Sequence, residues 1–143
     1  MKKSVPIVTL LSALFVIAAC GSKSGSNYIA LAGKTIKTIP VGNLTATLAN
    51  DAGMLKHGNQ ELTLTFTDGS AKPVDVGTVL LNFHMPQMGS MAAMNNGVTF
   101  TTTNIPGVYR GKVDLEVGGE WQGQLAYEGP AGNGKTTFSV TAQ

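Results

Sequence analysis

Apolar residues in this chain recur at every second position, in runs too short for helices and separated by turn residues. Leu44, Ala46 and Leu48 alternate with Thr45 and Thr47; Leu62, Leu64 and Phe66 alternate with Glu61, Thr63, Thr65 and Thr67. A period of two sends successive side chains to opposite faces of an extended chain, so each run reads as a strand with one buried face. Val79, Leu81, Phe83 and Met85 form a third row, with Leu80 on its other face. Val98 and Phe100 lie in a Thr-rich run. Tyr109, Val113, Leu115 and Val117 then alternate with Arg110, Lys112, Asp114 and Glu116. Trp121, Leu125 and Tyr127 alternate with Glu120, Gln122, Gln124 and Glu128, and Phe138 with Val140 closes the series.

Turn signals stand between these runs. Asp68-Gly69 reads as a hairpin leading into a short Val74 to Val76 segment, and Pro106-Gly107 ends the Thr-rich run. Gly118-Gly119 and the glycine-rich stretch Gly129 to Gly134 punctuate the rest. No window is helical and no repeat appears. The pattern predicts an all-β fold, an immunoglobulin-like antiparallel β-sandwich of about 7–8 strands, with Trp121 and Tyr109 in its core.

The first residues follow other rules. Met1-Lys2-Lys3-Ser4 is a short basic start, and Val5 to Ala19 is apolar except for Pro6, Thr9 and Ser12. That is the layout of an export signal, and it is shorter than the roughly 20 apolar residues of a membrane span. It ends in Ile17-Ala18-Ala19-Cys20, followed by Gly21-Ser22-Lys23-Ser24-Gly25-Ser26, which resembles a bacterial lipobox. The chain has one Cys, so it has no internal disulfide and no Cys-based zinc site, and that Cys stands where a lipoprotein is acylated. The expected organisation is a lipoprotein signal peptide over residues 1–19, a flexible lipid-anchored tether over 20–27 and a β-sandwich domain over 28–143. The protein is then extracytoplasmic and held to a membrane by lipid. Gly21 in place of Asp favours the outer membrane, facing the periplasm, in a Gram-negative cell.

Removal of Lys2 and Lys3 abolishes the formal charge of +2. A chain without a basic excess is not built to neutralise phosphates, so a nucleic-acid partner is not expected.

The alternation fails in one place. His84-Met85-Pro86-Gln87-Met88-Gly89-Ser90-Met91-Ala92-Ala93-Met94 holds four of the six methionines, each three residues from the next. Pro86 and Gly89 disfavour a helix, and on a strand a step of three would send successive thioethers to opposite faces. The segment is therefore expected to be a loop or short turn after the Val79 to Met85 strand, with its thioethers free to converge. Thioether sulfur is a soft, neutral ligand that selects Cu(I), and unlike thiolate it does not form disulfides in an oxidising compartment. Met85, Met88, Met91 and Met94 are thus candidate ligands, with His84 as an added imidazole on the face opposite Met85. Met54 and His57, in the loop before the Leu62 strand, lie where sandwich loops gather at one end and are further candidates. Each residue also has a plainer reading: Met85 as an adaptable core filler, the other methionines as a packed lid or partner surface, and both histidines as solvent-facing polar groups.

Met85-Pro86-Gln87-Met88-Gly89 at a strand end, then Pro106-Gly107-Val108-Tyr109-Arg110-Gly111, then Gly119-Glu120-Trp121, resemble the successive signatures of YtkA-like and FixH-like domains. Gly58-Asn59 ahead of Leu62-Thr63-Leu64-Thr65 and Asp68-Gly69 agree, and the resemblance runs from about Leu44 to Val140. It implies an immunoglobulin-like periplasmic domain associated with copper handling, including oxidase assembly and copper efflux, and it supports Met85 and Met88 as ligands. Ser90 stands where many relatives have His or Met, and Met91 and Met94 extend the thioether series instead. A lipid replaces the transmembrane anchor usual in FixH-like proteins.

Catalytic signatures are missing or out of context: there is no GxSxG and no HExxH, and although Gly129 to Thr136 meets the spacing of the nucleotide-binding GxxxxGK[ST], no helical pattern follows Lys135 to cradle a phosphate. The carboxylates stand singly, so no enzyme is expected. The expected function is Cu(I) binding through the Met-rich loop, in copper handling, delivery or tolerance, with a copper-transport or oxidase-assembly protein as partner. The alternative is a metal-free immunoglobulin-like scaffold module whose Met loop is a hydrophobic surface for a membrane complex.

Overall fold

A computed structural model describes residues 33–143. The expected signal peptide, Cys20 and tether lie outside these residues. Eight strands follow one another: β1 (Lys34–Val41), β2 (Leu44–Asn50), β3 (Gly58–Thr67), β4 (Thr78–Met85), β5 (Met94–Thr102), β6 (Val108–Leu115), β7 (Gly119–Gly129) and β8 (Gly132–Ala142). All neighbours pair antiparallel in the order β1-β2-β3-β6-β5-β4-β7-β8, and the described residues contain no helix. The all-β expectation holds, and the eight strands fall within the expected number.

The sheet folds over on itself because β5 belongs to both halves. Its first part, Met94 to Val98, pairs with β4, and its second, Thr99 to Thr102, pairs with β6. The two layers so formed give a nearly closed, sandwich-like barrel whose open seam lies between β1 and β8. Inward rows of alternating residues fill it. Leu48, Leu62, Leu64 and Phe66 from one layer meet Leu81, Phe83, Trp121 and Leu125 from the other, all 3% exposed or less. Phe66 packs edge-on against Tyr109 at 5.9 Å and Tyr127 at 5.5 Å between ring centres, the geometry that aromatic quadrupoles favour.

Gly123 explains itself in this packing. It sits between Phe83 on β4 and Phe138 on β8 in one rung, and a Cβ there would enter the Phe138 ring. The glycine lets that ring lie flat over the strand.

The long β3–β4 connection is tied down by side chains. The chain reverses around Asp68, whose Oδ1 accepts from the N–H groups of Ser70 at 2.8 Å and Lys72 at 3.1 Å. Val74 to Val76, expected as a short strand, forms none: a single bridge joins Pro73 to Thr67, and Val74 N–H donates to Phe66 at 2.9 Å. Pro73 has no N–H to continue a ladder. Tyr109 holds the segment instead, its hydroxyl donating to Asp75 Oδ1 at 3.0 Å and accepting from Val76 N–H at 3.1 Å.

Burial raises the Tyr109 phenol above its ordinary value, and the adjacent Asp75 adds to the effect. Tyr109→Phe leaves the Val76 N–H without its acceptor and should cost about 1–3 kcal/mol in denaturant unfolding. A phenol raised in the folded state contributes fully below its unfolded-state value near pH 10 and loses that contribution as pH rises through the folded value. The stability gap between the parent and Tyr109→Phe should therefore narrow above about pH 10.

Candidate functional site

The methionine segment is a hairpin, more ordered than the loop expected for it. β4 and β5 pair in one register from Leu81↔Val98 through His84↔Asn95 to Met85↔Met94. Pro86 cannot donate, and the ladder opens there. It closes again at Met88 and Met91, which exchange both backbone bonds, at 3.2 and 2.9 Å. Gly89 and Ser90 make the two-residue turn between them. Gly89 has φ +56°, the left-handed value required at the first central position of a type II′ turn.

Four methionines evenly spaced in sequence thus become two rungs of two. Residues directly opposite in an antiparallel pair project from the same face with Cβ atoms about 4.5–5.5 Å apart, so Met88 faces Met91 and Met85 faces Met94. Met94 begins β5 and does not lie in a loop with the others. The rungs stand three residues apart, about 10 Å along an extended chain.

Burial separates them further. Met85 is 2% exposed and continues the core row, its methyl reaching toward Gly119; Met94 is half-buried against the same core. Met88 and Met91 are 52% and 45% exposed. The tip rung therefore offers two thioethers to solvent, and the inner rung serves mainly as packing.

His84 points to the face opposite Met85, as strand alternation requires. Its Nδ1 lies 2.9 Å from Asn95 Oδ1, an oxygen that also accepts from Asn82 Nδ2 at 3.3 Å. With Nδ1 donating to that oxygen, Nε2 of a neutral imidazole would be the ring atom left for a metal. His84 is nevertheless four residues from Met88, about 13 Å along an extended strand. Asn95 and Asn82 escaped sequence reasoning because only the pairing register reveals them.

Met54 and His57 lie at the same end of the barrel as the hairpin but are directed elsewhere. Asn50 shapes their loop: its Nδ2 donates to the Met54 carbonyl at 2.7 Å, and its Oδ1 accepts from Ala52 and Gly53 N–H at 3.0 and 2.7 Å. Leu55 is the loop's buried anchor. Met54 lines a groove of about 290 Å³ between β1 and β8, with Ile36, Lys37 and Val140. β7 separates β8 from the β4 strand that carries the hairpin. His57 is bound to the chain's last residue, Nδ1 lying 3.2 Å from the Gln143 carbonyl that also accepts its backbone N–H at 2.8 Å.

Among the described residues no three His, Cys, Asp or Glu side chains come together. From Val76 to Tyr109 there is no Asp, Glu, Lys or Arg. The hairpin is therefore a neutral surface whose clustered donors are thioethers, suited to a soft monovalent ion and not to hard divalent ones.

A family model described as YtkA-like matches residues 40–126, a span that holds β2 to β6, most of β7 and the whole hairpin. No curated protein and no solved structure matches the chain.

The two rungs should separate under mutation. Met85→Ala removes a buried side chain and should cost about 2–5 kcal/mol in denaturant unfolding. Met88→Leu and Met91→Leu, on an exposed tip, should stay within about 0.5 kcal/mol of the parent. Comparable losses at both rungs would place the tip in the core.

Proposed function

The chain belongs to the YtkA-like family, and from that premise we propose that it is a lipid-anchored extracytoplasmic protein that binds Cu(I) on its methionine hairpin, in copper handling, delivery or tolerance. The observation that carries this reading is the tip rung, where Met88 and Met91 stand opposite each other and exposed. Copper is cargo here. Two thioethers hold a soft ion with little charge neutralisation, so it can leave as readily as it arrives, as a carrier requires. A third ligand would have to come from the face that the tip rung shares: His84 lies on that face and would bind through Nε2, whereas Met94 projects with Met85 from the other.

Met54 and His57 stand lower in this proposal, since one faces the β1–β8 groove and the other is bonded to Gln143. The partner that gives or takes copper is a copper-transport or oxidase-assembly protein. The chain performs no catalysis of its own. Half-exposed thioethers also fit the second reading, a metal-free module that docks a membrane complex through an apolar tip.

Titrating Cu(I) into the mature chain against a competing chelator separates the two. One ion per chain is expected, with at least a tenfold loss of affinity, about 1.4 kcal/mol, in the Met88→Leu, Met91→Leu double variant. Leucine keeps the tip apolar, so a docking surface would survive the change. Unaltered affinity with all four hairpin methionines replaced by Leu sinks the metal reading. Thioethers carry no titrating proton, so affinity should be flat from pH 5 to 8; a fall toward the acid side would reveal an imidazole ligand. The anchor has its own check: Cys20→Ser should move the protein from the membrane to the soluble fraction, and retention on the membrane would refute lipidation.

A further inference from the structure

Strand direction sorts the connections of this barrel onto two ends. Because every neighbour is antiparallel, odd-numbered strands start, and even-numbered strands finish, at one end. That end carries Gly33 leading into β1, the Met54 and His57 loop, the methionine hairpin, the β6–β7 turn and Gln143. Local contacts agree: Gly33 lies against the Asn50 carbonyl, and Leu55 bridges Ala142. The β1–β2 turn at Gly42-Asn43, the long β3–β4 connection and the turn at Pro130-Ala131 occupy the opposite end. An anchor at Cys20 therefore enters the domain at the hairpin's end of the barrel, across the mouth from the β4–β5 strands that carry it.

The chain between anchor and domain is short. Gly21 to Gly33 spans at most about 45 Å, and the eleven residues of β8 carry the far end roughly 35 Å beyond the entry point, so the entry end meets the bilayer at any extension of that segment and the far end only when most of its length is used. The hairpin is also the part of that end best suited to lie on lipid. It has no formal charge to desolvate and no acidic group to be repelled by anionic headgroups, and it presents Met88, Met91, Ala92 and Ala93 exposed. Such a tip is too small to hold a protein on a membrane unaided, but a tether supplies a high local concentration of surface.

We propose that the methionine hairpin rests on the lipid bilayer, so that the tip rung opens into the headgroup layer and exchanges its ion there. This rests on the lipid anchor of the proposed function. It makes the membrane surface the docking partner of the hairpin and keeps the far end of the barrel facing the aqueous phase.

The acylated chain uses its one Cys for lipid, so a single introduced Cys takes a fluorophore uniquely. Ser90→Cys at the tip and Asn43→Cys at the far end are compared in phosphatidylcholine–phosphatidylglycerol vesicles that carry a headgroup acceptor dye. Energy transfer from position 90 should exceed that from position 43 at least twofold, and it should fall to the position 43 value when Met88→Glu and Met91→Glu are added. Equal transfer from both positions on vesicle-bound protein, or transfer from position 90 unmoved by the two Glu changes, overturns the proposal while leaving the anchor standing. Failure of the parent chain to stay on the vesicles removes the anchor and the proposal together.

Discussion

The inward row Val79, Leu81, Phe83 and Met85 on β4 is the constraint on which the hairpin depends. A slip of one residue in an antiparallel pair turns every side chain of a strand to the other face. On β4 it would expose these four and bury Leu80, Asn82 and His84 in an apolar core, leaving amide and imidazole groups without partners. The cost fixes the register, and the register fixes the hairpin. Met85 must face Met94, His84 must point outward beside Asn95, and the chain beyond Pro86 can close only with Met88 opposite Met91.

The rest of the barrel keeps this arrangement rigid without taking part in it. Tyr109 and Asp75 secure the long connection at the far end, and Gly123 allows Phe138 to seal the layer that contains β4. β5 passes between the layers, so its first half carries Met94 while its second half is locked to β6. A tip proposed to admit and release an ion needs few contacts of its own, and this one borrows its position from the frame beneath it.

Much of this is legible in the sequence where one face is apolar. β2, β3, β6 and β7 each show clean alternation, β4 shows it apart from the exposed Leu80, and Trp121 and Tyr109 are buried as expected. β1 is not legible, because Lys34, Thr35, Lys37, Thr38 and Pro40 hide a strand in which only Ile39 and Val41 are buried and a bulge interrupts the pairing. Val74 to Val76 resembles a strand by composition, and Pro73 prevents it. The hairpin reads as a loop for a physical reason: turn chemistry at Gly89-Ser90 restores pairing after Pro86 breaks it, and a period search sees only the break. The gathering of the Met54 and His57 loop at the hairpin's end can be read from the topology of a sandwich. The directions of those two side chains cannot, since Met54 turns into the β1–β8 groove and His57 onto the Gln143 carbonyl, neighbours that only the folded chain brings together.

The spacing of three misleads in one further respect. Four equally spaced thioethers suggest one site with four sulfurs, yet a step of three on a paired ladder alternates faces and sorts them by depth. A ligand set that included Met85 would have to draw a 2%-exposed side chain out of the core, and the vacated volume would cost as much as a cavity-forming substitution. An ion at the tip meets no such cost, because Met88 and Met91 already stand in solvent on a neutral hairpin. The division between the rungs therefore favours shallow, reversible binding over a sequestered centre. In the proposed role, the same sulfur chemistry placed three residues deeper would make a store, and at the turn it would make a point of exchange.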